Sequence, residues 1–195
     1  MLTFNSKQEA KEYIRSKNEE GYEAYYVEID GKYHVNILGK INNAPVDVNR
    51  IKKLDDEGST GEHYSATSHR HARINLIQGA TKRTEYHEIG HHRLGHDSRQ
   101  DKPNQIINKE LDAEIYAYGK LNRRITAQVC SPATYSIKQE YIKTGKMTAS
   151  EATKLIKEGL VKRNINVSKE EEQNIKDYFE RKWWLRNTEE YQSLF

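Results

Sequence analysis

The chain has 195 residues, 32 of them basic and 29 acidic, for a formal charge of +3. That length holds one domain with a modest core, or a small domain with appended helices, but not two full-sized domains. So small a charge excess does not call for a polyanionic partner. No apolar run approaches the roughly 18 to 20 residues needed to cross a bilayer. The opening Met1-Leu2-Thr3-Phe4-Asn5-Ser6-Lys7 also lacks a signal-peptide apolar stretch, and the single Cys130 cannot form an internal disulfide, so a cytoplasmic protein is expected. Thirteen tyrosines and two tryptophans supplement a small aliphatic complement, which suits a folded and very polar protein.

Ser6 and Glu9 have capping-box spacing, and Ala10, Tyr13 and Ile14 then lie on one helical face. Two runs rich in aromatic and β-branched residues, Tyr22 to Ile29 and Lys32 to Leu38, flank Asp30-Gly31, a strong hairpin signal. Residues 1–40 therefore read as an α-β-β unit. Residues 41–68 are polar and rich in turn formers, and read as a linker or irregular segment around one short run near Val46 to Leu54. In residues 69–125, Arg73-Ile74-Asn75-Leu76-Ile77 suggests a strand, Thr81 or Thr84 can cap a helix ending near Gly95, and a second helix is expected from about Ile106 to Arg123. Residues 126–195 read as helical, with capping boxes at Thr148/Glu151 and Ser168/Glu171.

The informative segment is Glu85-Tyr86-His87-Glu88-Ile89-Gly90-His91. His87 and His91 stand four apart, so on a helix they present two imidazoles to one zinc ion, with Glu88 beside them as a base for water. Composition alone yields about 0.03 such HExxH matches in a chain with 8 histidines. A hydrolytic zinc site needs a third protein ligand, and no histidine follows His96. The acidic run Lys109-Glu110-Leu111-Asp112-Ala113-Glu114 supplies candidates. Glu110 and Glu114 share a helical face with the small Ala113 and Ala117 beside them. Glu110 is the chosen ligand, and Glu114 the carboxylate that orients a histidine Nδ1 hydrogen. Asp112 and Asp97 are alternative metal ligands, Asp97 through a short-spaced closure six residues after His91.

These two motifs resemble those of the ImmA/IrrE family of small gluzincin metallopeptidases, whose second motif is similar to E-x-E-A-N-x-F-A. The likeness covers about residues 70 to 122. It implies a cytoplasmic zinc endopeptidase, often carried on mobile elements, that cleaves a helix-turn-helix repressor. By that match His87 and His91 are ligands, Glu88 the base and Glu110 the third ligand. The family's apolar continuation ending in proline is replaced here by Leu121-Asn122-Arg123-Arg124-Ile125-Thr126-Ala127. The expected fold is α+β and gluzincin-like: a small twisted sheet on the HExxH helix and a second ligand-bearing helix, with the N-terminal α-β-β unit and a helical C-terminal region.

His34, His63, His69 and His71 have no ligand spacing, and the pair His92/His96 has no glutamate at the base position. Tyr116, Tyr118, Tyr135 and Tyr141 are candidate oxyanion stabilisers among which the sequence does not choose. Cys130 has no local feature that marks an activated thiol and reads as a buried or incidental residue. The two C-terminal helices invite a helix-turn-helix reading, but Lys169-Glu170-Glu171-Glu172 puts carboxylates where phosphates would approach. Trp183 and Trp184 read as packing residues of a terminal helix. The expected partner is a protein or peptide substrate, with neither nucleic acid nor membrane; the oligomeric state is left open. The rival readings are a non-catalytic zinc-binding interaction module and a DNA-binding accessory protein.

Overall fold

The computed structural model describes residues 2–52, 61–65, 72–97 and 102–181. His69, His71, Trp183 and Trp184 lie outside them. The described chain is α+β, with six α-helices and two three-stranded sheets. It divides into two compact units: Met1–Gln100 with Asp112–Ile125, and Asp101–Leu111 with Thr126–Phe195.

In the first unit a short strand β1 (Leu2–Phe4) precedes helix α1 (Lys7–Glu19). Ser6 accepts from the Glu9 amide while Glu9 caps the Ser6 amide, so the box closes as its spacing requires. Strands β2 (Tyr22–Ile29) and β3 (Lys32–Lys40) form the hairpin. Asp30 and Gly31 both have positive φ, 50° and 73°, which matches the turn twist to that of the strands. The sheet order is β1-β3-β2, antiparallel throughout. Helix α1 packs on it through Ala10, which is wholly buried.

The second sheet has the order β4-β6-β5, built from β4 (Val46–Ile51), β5 (Gly61–Tyr64) and β6 (Ala72–Ile77). β4 runs parallel to β6 and β5 antiparallel to it. The segment read as irregular therefore contributes both edge strands. Their pairing is long-range and leaves little local pattern: β4 has no buried residue, and β5 is four residues long. Central β6 alternates cleanly, with Ala72, Ile74 and Leu76 buried. Helix α2 (Lys82–Arg93) packs on β5 and β6. Thr81 caps its start, and Asn42 covers two carbonyls at its end, those of Arg93 (2.6 Å) and His92 (3.0 Å).

Helix α3 (Pro103–Lys120) starts three residues earlier than its apolar spacing suggested, because proline suits a first helical turn. It ends earlier too, where Asn122 turns to φ 52° and the Arg123 amide bonds the Tyr118 carbonyl. The unit boundary falls inside this helix, between Leu111 and Asp112.

The second unit adds a 3-10 turn (Ala127–Cys130), α4 (Ser131–Ile137), a π turn (Lys138–Ile142), α5 (Ala149–Val161) and α6 (Lys169–Glu180). Capping boxes start α5 and α6. Gly159 lets α5 approach Leu111 and Ile107, and Ile137, Ile156, Leu160 and Ile165 fill this core. Buried Lys138 donates to the carbonyls of Tyr178 and Arg181, closing the end of α6. Its first turn carries Glu170, Glu171 and Glu172, the last paired with Lys157. No described helix is long and apolar enough to cross a membrane.

Candidate metal centre

Successive helical residues are rotated by about 100°, so His91 lies about 40° round the axis from His87 and Glu88 about 100° from it. All three share the buried side of α2: His87 and Glu88 are buried and His91 is part-buried. What brings α3 alongside is Gly90. A Cβ there would lie 2.9 Å from the Ala113 carbonyl oxygen and 3.0 Å from its Cα, so the two helix backbones meet where neither side chain is larger than methyl.

That approach delivers two carboxylates of α3 to α2. Glu114, 1 % exposed, sets Oε2 2.9 Å from His87 Nδ1 and takes the Arg83 guanidinium on Oε1. Burial pushes its carboxyl up, but the His87 hydrogen bond and the Arg83 charge outweigh that, and it is held below the usual carboxylate value. With Glu114 accepting the Nδ1 hydrogen, the His87 lone pair sits on Nε2, the atom that faces His91. This tautomer is assigned from the hydrogen-bond network.

His91 Nε2 lies 3.1 Å from His87 Nε2. Two imidazoles bound tetrahedrally at about 2.05 Å stand about 3.3 Å apart, so the pair already has nearly that bite. His87, His91 and Glu110 each offer one ligand atom within 4.8 Å of the others, and this is the one such group of three among the described residues. The set comprises neither Asp112 nor Asp97. Two imidazoles and a carboxylate, with a carboxylate-locked tautomer behind one of them, fit a divalent cation that accepts nitrogen and oxygen donors. Glu88 lies against β5: a Cβ on Gly61 would fall 2.8 Å from Glu88 Cγ and 3.0 Å from its Oε1. Glycine at that strand position keeps the room that the carboxylate occupies.

Several participants had no sequence signal. Arg83 anchors Glu114 from the first turn of α2. His63, on β5, stacks on His91 at 6.3 Å and 10° and leans on His92 at 5.7 Å. Burial, then the two neighbouring histidines, push its pKa down to about 4, and its Nε2 is buried without a hydrogen-bond partner. His96 Nδ1 lies 3.1 Å from His91 Nδ1, and His92 Nε2 donates to the Ala44 carbonyl at 2.7 Å. Remote His34 pairs with Thr3 on the other sheet. Of the candidate tyrosines, Tyr116 is buried and its hydroxyl pushed up to about 12 by burial and Glu23, while Tyr118 has the Arg83 guanidinium over its ring. Tyr135 and Tyr141 belong to the second unit.

No protein-family model matches this chain, and no curated protein or solved structure matches it significantly.

Proposed function

We propose that the chain is a zinc-dependent endopeptidase with a gluzincin-like core, acting in the cytoplasm on a protein substrate of the class of transcriptional regulators carried on mobile elements. The observation that supports this reading is that His87, His91 and Glu110 each bring a ligand atom within 4.8 Å of the others, with Glu114 behind His87. Zinc held there would supply Lewis acidity, lowering the pKa of water and polarising a peptide carbonyl.

The chain's own residues do the rest. Glu114 holds the His87 proton at Nδ1, so the Nε2 lone pair would be the one offered to a bound cation. Glu88 takes a proton from the attacking water and delivers it to the departing amine, and burial between α2 and Gly61 keeps its carboxylate from swinging into solvent.

The test is zinc-loaded protein incubated with a proteome-derived peptide library, new termini being read by mass spectrometry. The wild type is expected to cut at a recurring sequence. Glu88→Gln is expected to keep its zinc and lose cleavage by roughly 100-fold or more. Undiminished cutting by Glu88→Gln refutes the assigned base. A zinc-loaded wild type that cuts nothing refutes the peptidase reading in favour of a binding module.

A further inference from the structure

At its C-terminal end α2 stops in a Schellman motif. Gly95 stands at φ 67°, its amide bonds the His92 carbonyl at 3.1 Å, and the His96 amide bonds the His91 carbonyl at 2.9 Å. Such a turn folds the second residue beyond the helix back against the third residue from its end, and the usual occupants of that contact are apolar. Here both are imidazoles. The rings of His91 and His96 stand edge to face at 70° with centroids 5.1 Å apart, and their Nδ1 atoms are 3.1 Å apart.

The two ring nitrogens of His91 thus have different neighbours. Nε2 faces His87 Nε2 at 3.1 Å, and Nδ1 faces His96. A neutral imidazole carries one hydrogen, and the nitrogen without it is the one that binds a metal. As a ligand through Nε2, His91 therefore carries its hydrogen on Nδ1. That hydrogen faces His96 Nδ1, which accepts it when the His96 hydrogen is on Nε2.

We infer that His96 is a positioning residue for His91: its Nδ1 accepts the His91 Nδ1 hydrogen and so fixes the tautomer and ring plane that offer Nε2 to the metal. This rests on the metal-centre reading, because it takes His91 as a ligand. It adds an acceptor for each imidazole, Glu114 of α3 for His87 and, for His91, a residue of the turn that ends α2 itself. A neutral acceptor binds less strongly than a carboxylate, so its loss costs less zinc affinity than loss of Glu114.

Competition for zinc against a chromophoric chelator tests this on the full chain with two variants of opposite character. The amide oxygen of asparagine sits close to where imidazole places Nδ1, so His96→Asn keeps an acceptor and is expected to hold zinc within about threefold of wild type. His96→Leu restores the apolar contact that this turn ordinarily carries but accepts nothing, and is expected to lose roughly tenfold in zinc affinity. In thermal melts of the metal-free protein the order is expected to reverse, His96→Leu being at least as stable as His96→Asn. A purely structural role predicts no such crossover. Nitrogen-15 spectra of the zinc-loaded wild type are expected to place the ring hydrogen of His91 on Nδ1 and that of His96 on Nε2. Zinc affinity unchanged in His96→Leu, equal losses in the two variants, or a hydrogen on His96 Nδ1 each overturns the inference while the metal centre stands. Two zinc ions per wild-type chain, falling to one in His96→Leu, would make His96 a ligand and overturn it as well. A wild type that binds no zinc overturns both. None of these readouts depends on peptide cleavage.

Discussion

Gly90→Ala puts the helix crossing itself under test. The added Cβ would sit 2.9 Å from the Ala113 carbonyl oxygen, whereas ordinary contact begins at 3.4 Å, so α3 has to retreat by about 0.5 Å. Such overpacking costs about 1 to 3 kcal/mol, but alanine regains about 1 kcal/mol of helix propensity. The net loss of stability is therefore only about 0 to 2 kcal/mol, too small a range to discriminate. Metal affinity discriminates better. The same retreat stretches the His87–Glu114 hydrogen bond from 2.9 Å to about 3.4 Å, beyond useful length, and metal sites tolerate only about 0.2 Å of ligand displacement. Competition for zinc against a chromophoric chelator is expected to show at least a roughly tenfold loss. Gly119→Ala is the control: it lies on the same helix with open space around it, and is expected to gain about 1 kcal/mol and leave zinc affinity alone. Zinc affinity in Gly90→Ala within about twofold of wild type refutes the argument that this crossing sets the ligand geometry.

Two further outcomes follow from the buried groups. Glu114→Leu leaves the His87 Nδ1 hydrogen and Arg83 without their acceptor and is expected to weaken zinc binding by about 10- to 100-fold. Glu114→Gln, which still accepts from Nδ1, is expected to lose less; equal losses in the same competition assay contradict the orienting role. Burial pushes the Cys130 thiol from its ordinary 9.0 up to about 12, so its native thiolate fraction at pH 8 is lower by roughly 1000-fold. Iodoacetamide labelling is expected to be at least roughly 100-fold slower in the native than in the denatured protein. Because the folded thiol keeps its proton longer, its effect on stability is flat below pH 9.0 and becomes unfavourable from there to about pH 12, visible as a declining denaturation midpoint that Cys130→Ala removes.

Local chemistry was legible in this sequence and long-range pairing was not. The three capping boxes, the Asp30-Gly31 turn and the Thr81 cap depend on neighbours within four residues, and each stands at its expected position. That His87, His91 and Glu110 could come near one another was readable for a similar reason, since helical spacing fixes the faces of α2 and α3. By contrast, β5 has four residues and no alternation, and β4 pairs in parallel with a strand more than twenty residues away. Of the sheet beside α2, only the central strand was therefore expected as a strand, its two edges falling in the segment expected to be irregular. Arg83 and His63 join the histidine and glutamate cluster through contacts 31 and 28 residues distant in sequence, to Glu114 and His91. No spacing rule encodes such contacts.

X-ray absorption spectroscopy of the zinc-loaded chain, with metal content measured on the same samples and on His87→Ala, His91→Ala and Glu110→Ala, tests the metal centre most directly. One zinc per chain, with two imidazole nitrogens and a carboxylate oxygen at about 2.0 to 2.2 Å, and metal content falling below about a tenth in each variant, is the result this account predicts. A wild type without stoichiometric metal, or a Glu110→Ala variant that retains its metal in an unchanged coordination shell, would contradict it.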